Sequence, residues 1–227
     1  MQDLTLSPES SPTRTAEILD VLRDDIIEAR RTPGERLRFD ALREHYDIGI
    51  SPLREALAQL AGEGLVVAEQ RKGYRVAPVS TDDLCEIARL RSEFDALAIA
   101  ESIRLGDTEW EGRVLAAFHA LSRKRKIGPD GEIDKDWERF HIRFHVELVS
   151  ACQMPKLLTF RAILEQQARR YRRISVHYMT APRDDLAEHR AIHDAVMERD
   201  AAKAGKLIKE HYLRTVEIIL TSGAAAF

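Results

Sequence analysis

Beyond Ser80 the sequence shows no strand-like alternation of apolar and polar residues, so everything from there to Phe227 must fold as helix or loop. Helical spacing predicts helices at about 82–105, 108–127, 132–152, 156–179, 184–199 and 201–221, with Pro129, Pro155 and Pro182 in the gaps between them. Thr108 and Glu111 read as a capping box at the start of one helix. Amphipathic helices joined by short connections pack as an antiparallel bundle, giving an all-α domain over 79–227.

Ahead of that joint, at Pro78-Val79-Ser80, the pattern is mixed. Residues 1–13 are rich in Ser, Pro and Thr and predict a disordered arm. A helix follows over about 15–31, with Ile18, Leu22 and Ile26 on one stripe, then a turn at Thr32-Pro33-Gly34-Glu35. Asp40 is placed to cap a short helix over about 40–46. Ser51-Pro52 opens the next, which carries Leu53, Leu57 and Leu60 inward and ends near Gly62 or Gly64. Strand-like runs at 65–69 and 73–77 flank the basic turn Gln70-Arg71-Lys72-Gly73. Three helices followed by a β-hairpin wing predict a winged helix-turn-helix over 14–78, and a mainly α chain overall.

Charge alone does not point to nucleic acid. Residues 1–79 carry 11 Lys and Arg against 14 Asp and Glu, and residues 80–227 carry 24 against 24. A DNA-binding module draws much of its affinity from neutralised phosphates, so the argument depends on where the charges sit. Arg54 falls in the first turn of the third helix, where arginine can reach guanine O6 and N7 with two bonds. Ser51 can donate to a phosphate beside it. Arg71, Lys72 and Arg75 cluster on the wing, and Arg36, Arg38 and Arg43 flank the second helix. Spacing alone leaves solubilising surface charge equally open.

No apolar stretch approaches the roughly 20 residues that span a bilayer. Met1-Gln2-Asp3-Leu4 lacks the basic and apolar segments of a secretory leader, so a cytoplasmic protein is expected. Cys85 and Cys152 form no CxxC pair and read as reduced thiols.

In the helical half, His141 and His145 lie one turn apart on one helix face, and His189 and His211 fall on the last two helices. Imidazoles converging from three helices could hold Zn or Ni. The same residues could equally be separate core histidines, each hydrogen-bonded to a neighbour. A metal-dependent enzyme in a helical bundle, or a sensor whose signal is the ion, would fit such a cluster. Against an enzyme, paired carboxylates in Glu-x-x-His spacing are missing.

Residues 15–77 resemble the winged helix-turn-helix of the GntR family. The similarity is carried by Pro33-Gly34-Glu35-Arg36-Leu37, Ser51-Pro52-Leu53-Arg54-Glu55-Ala56-Leu57, Glu63-Gly64-Leu65-Val66 and Lys72-Gly73-Tyr74-Arg75-Val76. It implies that Arg54 inserts toward the bases and that Gly73 lets the wing approach the minor groove. Gly49-Ile50-Ser51 stands where the family often has Ser-Arg-Thr, and Asp40 where many members carry a basic residue. Residues 82–221 resemble the FCD effector-binding domain of the FadR branch, through Arg91-Ser92-Glu93-Phe94-Asp95, Phe144-His145, Glu188-His189-Arg190-Ala191-Ile192 and the stretch from Asp200 to His211.

In metal-containing members an Asp and three His bind the ion. The resemblance places His145, His189 and His211 at the histidine positions and His141 at the aspartate position, which favours Zn, Ni or Cu over Mn or Mg. It also makes Arg91 a contact for a small carboxylate effector. Arg169, Arg172 and Arg173 offer further counter-charge, of which adjacent members cannot all point inward, and His193 is a candidate hydrogen-bond partner behind the ligands. Gln70-Arg71-Lys72-Gly73-Tyr74-Arg75-Val76-Ala77, Glu109-Trp110-Glu111 and Ala168-Arg169-Arg170-Tyr171-Arg172 are similar to regulators of the carbon-starvation-induced type, which control small-acid catabolism and imply a short dicarboxylate effector. The whole implies a homodimeric repressor on double-stranded operator DNA with palindromic half-sites, in which effector reorients the winged helices through a joint at 77–82.

Overall fold

In a computed structural model, residues 14–175 and 183–221 are described, and they divide into two compact units between Pro78 and Val79. The expected arm at 1–13 lies outside the described residues.

The first unit runs α1 (Arg14–Ile27), β1 (Arg36–Leu37), α2 (Phe39–Tyr46), α3 (Ile50–Gly62), β2 (Val66–Glu69) and β3 (Gly73–Val76). Its core joins Leu22 and Ile26 of α1, Leu42 of α2, and Leu53, Leu57 and Leu60 of α3 to Val66 and Val76 of the sheet. The sheet has three strands, not a hairpin alone: β1 pairs antiparallel with β3, placing Arg36 opposite Arg75, in the order β1-β3-β2. A two-residue strand has no alternation to read, which is why the sequence hides it.

Three boundaries also differ from expectation. α1 stops at Ile27, because Ala29 takes a positive φ of 56° and the Arg31 N–H turns back to the Asp25 carbonyl. α2 starts at Phe39 with Arg38 in the cap position, so Asp40 lies in the first turn and caps nothing. α3 is capped by Gly49 and starts at Ile50, which moves Ser51 and Pro52 inside the first turn. Pro52 is tolerated there because a first-turn N–H has no intrahelical acceptor.

The second unit holds α4 (Thr81–Leu105), α5 (Thr108–Ser122), α6 (Lys135–Leu148), α7 (Pro155–Ser175), α8 (Asp185–Met197) and α9 (Ala201–Thr221). Ser80, Asp107, Asp134 and Asp184 cap α4, α5, α6 and α8, each side chain accepting a first-turn N–H. The cap of α5 is thus Asp107, bonded to the Trp110 N–H at 2.8 Å, and not the Thr108–Glu111 box. A short side-chain oxygen one residue earlier reaches the same orphan donors. The loop after Ser122 is pinned by a bridge between Ile127 and Ile133, so α5 and α6 are shorter than their apolar periodicity suggests. Pro155 is the first residue of α7, where its missing N–H costs nothing, while Pro182 and residues 176–179 of the expected helix lie outside the described residues.

α4 and α9 run antiparallel: Glu93 pairs with Lys209, while Leu84 and Ile87 share a cluster with Val216 and Ile219. The main core gathers Trp110, Phe118, Phe144, Leu148, Ile192 and Ile208. Gly106, the last cap of α4, is pressed on Trp110, and a Cβ there would lie 2.1 Å from the indole and 2.7 Å from the Ser102 carbonyl oxygen. No helix is long and apolar enough to cross a membrane among the described residues.

Candidate metal centre and nucleic-acid interface

α6 presents His141 and His145 from successive turns, α8 presents His189 and α9 presents His211; all four are buried and offer ligand atoms within 4.8 Å of one another. Hydrogen bonds fix the tautomer of three of them. Glu188 is a carboxylate: burial pushes its pKa up, but bonds from His211 and Arg183 outweigh that and hold it well below the usual range. It can therefore only accept, so His211 donates Nδ1–H to it at 2.8 Å. His189 donates Nδ1–H to the Asp185 carbonyl at 2.5 Å. The Tyr212 hydroxyl donates to Asp95, which leaves its oxygen to accept Nδ1–H of His145 at 3.3 Å. Each of these rings is left with a bare Nε2. Asp95 is ion-paired with Arg161 at 2.5 Å, and Arg161 donates to the His145 carbonyl at 2.9 Å.

His141 is held differently. Its ring stacks on Trp137 at 4.6 Å, its buried Nδ1 has no hydrogen-bond partner, and its Nε2 faces Nε2 of His145 at 3.2 Å. Two imidazole nitrogens at that distance need a proton or a cation to share. Burial holds His141, His145 and His189 well below the ordinary histidine pKa, and neighbouring cationic groups add to it; burial also lowers His211, against the pull of Glu188. The rings are thus neutral, which suits a transition-metal ion, and nitrogens roughly 3.3 Å apart are what a tetrahedral zinc with 2.0–2.1 Å bonds requires. The buried Nε2 of His189, also without a partner, fits the same ion. These residues fit a metal. His193, the expected supporting partner, instead stacks on Phe118 at 4.5 Å and bonds Asp194.

A cavity opens on His141 and His211 and is walled by α4, α7 and α9. Of the arginines expected to face an effector, Arg91 lines it, buried and ion-paired with Glu165 while lying 4.1 Å over the Tyr212 ring. Arg169 and Arg173 are not among the lining residues: Arg169 faces Glu138 at 3.4 Å, and Arg173 donates to the Ile133 carbonyl at 2.9 Å. The member of that run on the wall is Arg172, joined by Lys126 and Arg183. Tyr171 also lines the cavity, and its hydroxyl accepts the Ser80 N–H at 3.0 Å while donating to Asp83 at 2.5 Å.

In the first unit, five acids among the described residues are paired with four arginines. Arg23 binds Glu63 and Asp20, Arg30 binds Asp25, Arg31 binds Glu35 and Arg75 binds Glu69. Among the described residues, Arg38, Arg43, Arg54, Arg71 and Lys72 are exposed and make no ion pair. Arg54 lies 5.9 Å over the ring of Phe39, which brings the starts of α2 and α3 together. Neither start has a side-chain cap, and Ser51 is exposed in the first turn of α3. Uncapped helix N-termini offer N–H groups to phosphate. In the wing, Arg71 and Gly73 take positive φ of 60° and 87°, turning the chain so that Arg71 and Lys72 project.

Residues 14–76 match the model of bacterial regulatory proteins of the gntR family, and residues 86–214 match the FCD domain. The HTH-type transcriptional repressor GlaR of Escherichia coli (strain K12) is 36% identical over 87% of this chain and 92% of its own. The chain belongs to the GntR family. The regulator BphR of Paraburkholderia xenovorans (strain LB400) is 32% identical over 89% of this chain and 83% of its own. Two solved GntR-like folds, a GntR protein from Rhodococcus sp. RHA1 and E. coli McbR/YncC, each superpose with a TM-score of 0.72. They cover 92% and 93% of this chain and 99% of their own, at 23% and 18% identity.

As a GntR-family member with an FCD domain, the chain is a DNA-binding regulator of transcription and not an enzyme. FCD domains bind metals, and this one buries a four-histidine set that could hold an ion. Sequence reasoning missed Lys126 and Arg183 on the cavity wall and the Asp95–Tyr212–His145 chain behind the ligands. Only Asp95 had a signal, as the last residue of the Arg91-Ser92-Glu93-Phe94-Asp95 stretch.

Proposed function

We propose that the protein is a metal-containing, ligand-responsive repressor. In this reading 14–78 bind operator DNA, and 79–227 bind the effector and form the homodimer that reads palindromic half-sites. Arg54 and Ser51 meet the major groove from α3, Arg38 and Arg43 the flanking phosphates, and Arg71, Lys72 and Gly73 the wing contacts. His141, His145, His189 and His211 hold Zn or Ni, and Arg91 receives a small carboxylate. The repressor sense follows the name of the GlaR relative.

The observation that carries the reading is Tyr171, one side chain that both walls the cavity beside the histidines and grips Ser80 and Asp83 at the start of α4, just beyond Pro78. An effector that distinguishes two positions of Tyr171 would distinguish two states of the joint, which is the requirement for changing DNA affinity. Fluorescence anisotropy with DNA from upstream of the protein's own gene tests this. Metal-loaded protein should bind it in preference to random duplex and release it on adding the effector acid; equal affinity for both duplexes in every condition overturns the reading. A purely metal-sensing mode is favoured by one feature, that four imidazoles can complete a tetrahedral shell unaided. Operator affinity that follows Zn or Ni with no response to acids would select it.

A further inference from the structure

The geometry points to an effector with one carboxylate head and an apolar body, a short aliphatic chain or ring, in place of the short dicarboxylate that sequence similarity implies. This deepens the reading of the cavity as the effector site and rests on it. Two helices that run in opposite directions grade from polar to apolar toward the same end of the cavity. On α4 the lining passes from Arg91 back through Ala88 and Ile87 to Leu84. On α9 it passes from His211 forward through Thr215 to Val216 and Ile219. Their antiparallel packing sets Arg91 beside Tyr212, and Leu84 in one cluster with Ile219. The charged end and the greasy end are therefore properties of the space, not of one helix. At a rise of 1.5 Å per residue, the stretch from Arg91 to Leu84 is roughly 10 Å long.

The head has a receptor. Arg91 is buried, and its Nε has no hydrogen-bond partner although its other end meets Glu165. The histidine set opens on the same end. A second carboxylate has none at the other end, because the remaining wall cations gather at this one: Arg172 shares Glu165 with Arg91, and Arg183 contacts His211 and, with Lys126, holds Asp185. Lys126 pairs with Asp185 at 2.6 Å, Arg183 with Asp185 and Glu188, and Arg172 with Glu138 and Glu165. The far end is formed by Leu84, Ile87, Val216 and Ile219, where an ionised carboxylate would be stripped of water without compensation.

Titration calorimetry on the full-length, zinc-loaded protein tests this with butanoate, hexanoate and octanoate against glutarate and adipate. Affinity should rise by about fourfold per methylene along the monocarboxylates, the gain expected for burying each CH₂, and hexanoate should bind at least tenfold more tightly than adipate. Ala88→Leu, which fills the apolar stretch, should weaken octanoate severalfold more than butanoate. Adipate or glutarate binding as tightly as hexanoate, or affinity independent of chain length, overturns the inference and leaves the carboxylate site standing. Failure of both classes to bind overturns the inference and the effector reading together, while operator binding, measured separately, stands or falls alone. If Ala88→Leu does not fold, the wild-type series still decides.

Discussion

If the four histidines hold an ion, loading and stripping it should move the unfolding of the second unit by a large, calculable amount. All four ligand atoms lie within 4.8 Å, and three rings are aimed by Glu188, Asp185 and Tyr212, so little of the binding energy is spent on assembling the site. Free metal at about 1,000 times its dissociation constant stabilises a folded state by about 4 kcal/mol. For a domain of about 150 residues each kcal/mol is worth 2–4 °C, so the rise should be about 8–16 °C. Scanning calorimetry of chelator-stripped protein, with and without added Zn or Ni, reads it directly. His145→Ala removes a ligand and its link to Tyr212, and should abolish most of the rise. His193→Ala is the control: it is a buried histidine one turn from His189 but is stacked on Phe118 outside the set, so its metal-induced rise should match the wild type. A wild-type transition that ignores both metals, or equal losses in the two variants, would refute the argument.

Tyr171→Phe should bind acid as the wild type does but lose most of the acid-induced release of DNA, seen by running calorimetry and anisotropy on one preparation. Glu165 gives a pH signature: burial raises its pKa, but Arg91, Arg172 and Arg161 outweigh that and bring it from 4.5 to about 2. A depressed carboxyl stabilises the fold fully above 4.5 and loses that contribution as pH falls through about 2. The stability gap between wild type and Glu165→Gln should therefore narrow by about 3 kcal/mol across that window, by denaturant titration. Gly106→Ala must push the Trp110 ring aside and should cost about 1–3 kcal/mol, measured by the same titration; an unchanged midpoint would contradict the packing at that turn.

The fold was legible wherever a long period carried it. Ile18, Leu22 and Ile26 mark α1, and an uninterrupted helical pattern after Ser80 marks the bundle. Where a short-range competition decides, the sequence was silent. Gly49 takes the cap that Ser51-Pro52 suggests, and Asp107 outcompetes Thr108 from one residue away. The histidine set was readable as a pair on one face plus two on neighbouring helices, because helix spacing alone aims His141 and His145 together. The cavity wall was not. Successive arginines in Arg169-Arg170-Tyr171-Arg172-Arg173 are rotated about 100° from one another, and only the packing of α7 decides that Arg172 faces inward while Arg173 serves the Ile133 carbonyl. The unpaired cations of the first unit were likewise invisible in a count of charges, since a count does not tell which arginines are held by acids, as Arg23, Arg30, Arg31 and Arg75 are.

The most direct test of DNA recognition by α3 is the affinity of Arg54→Ala for the upstream fragment and for random duplex, at physiological salt and matched metal loading. The account predicts that the variant keeps its melting profile and weak binding to both duplexes but loses the preference between them, as removal of a base-reading side chain should. A variant that still selects the upstream fragment as strongly as the wild type would contradict it.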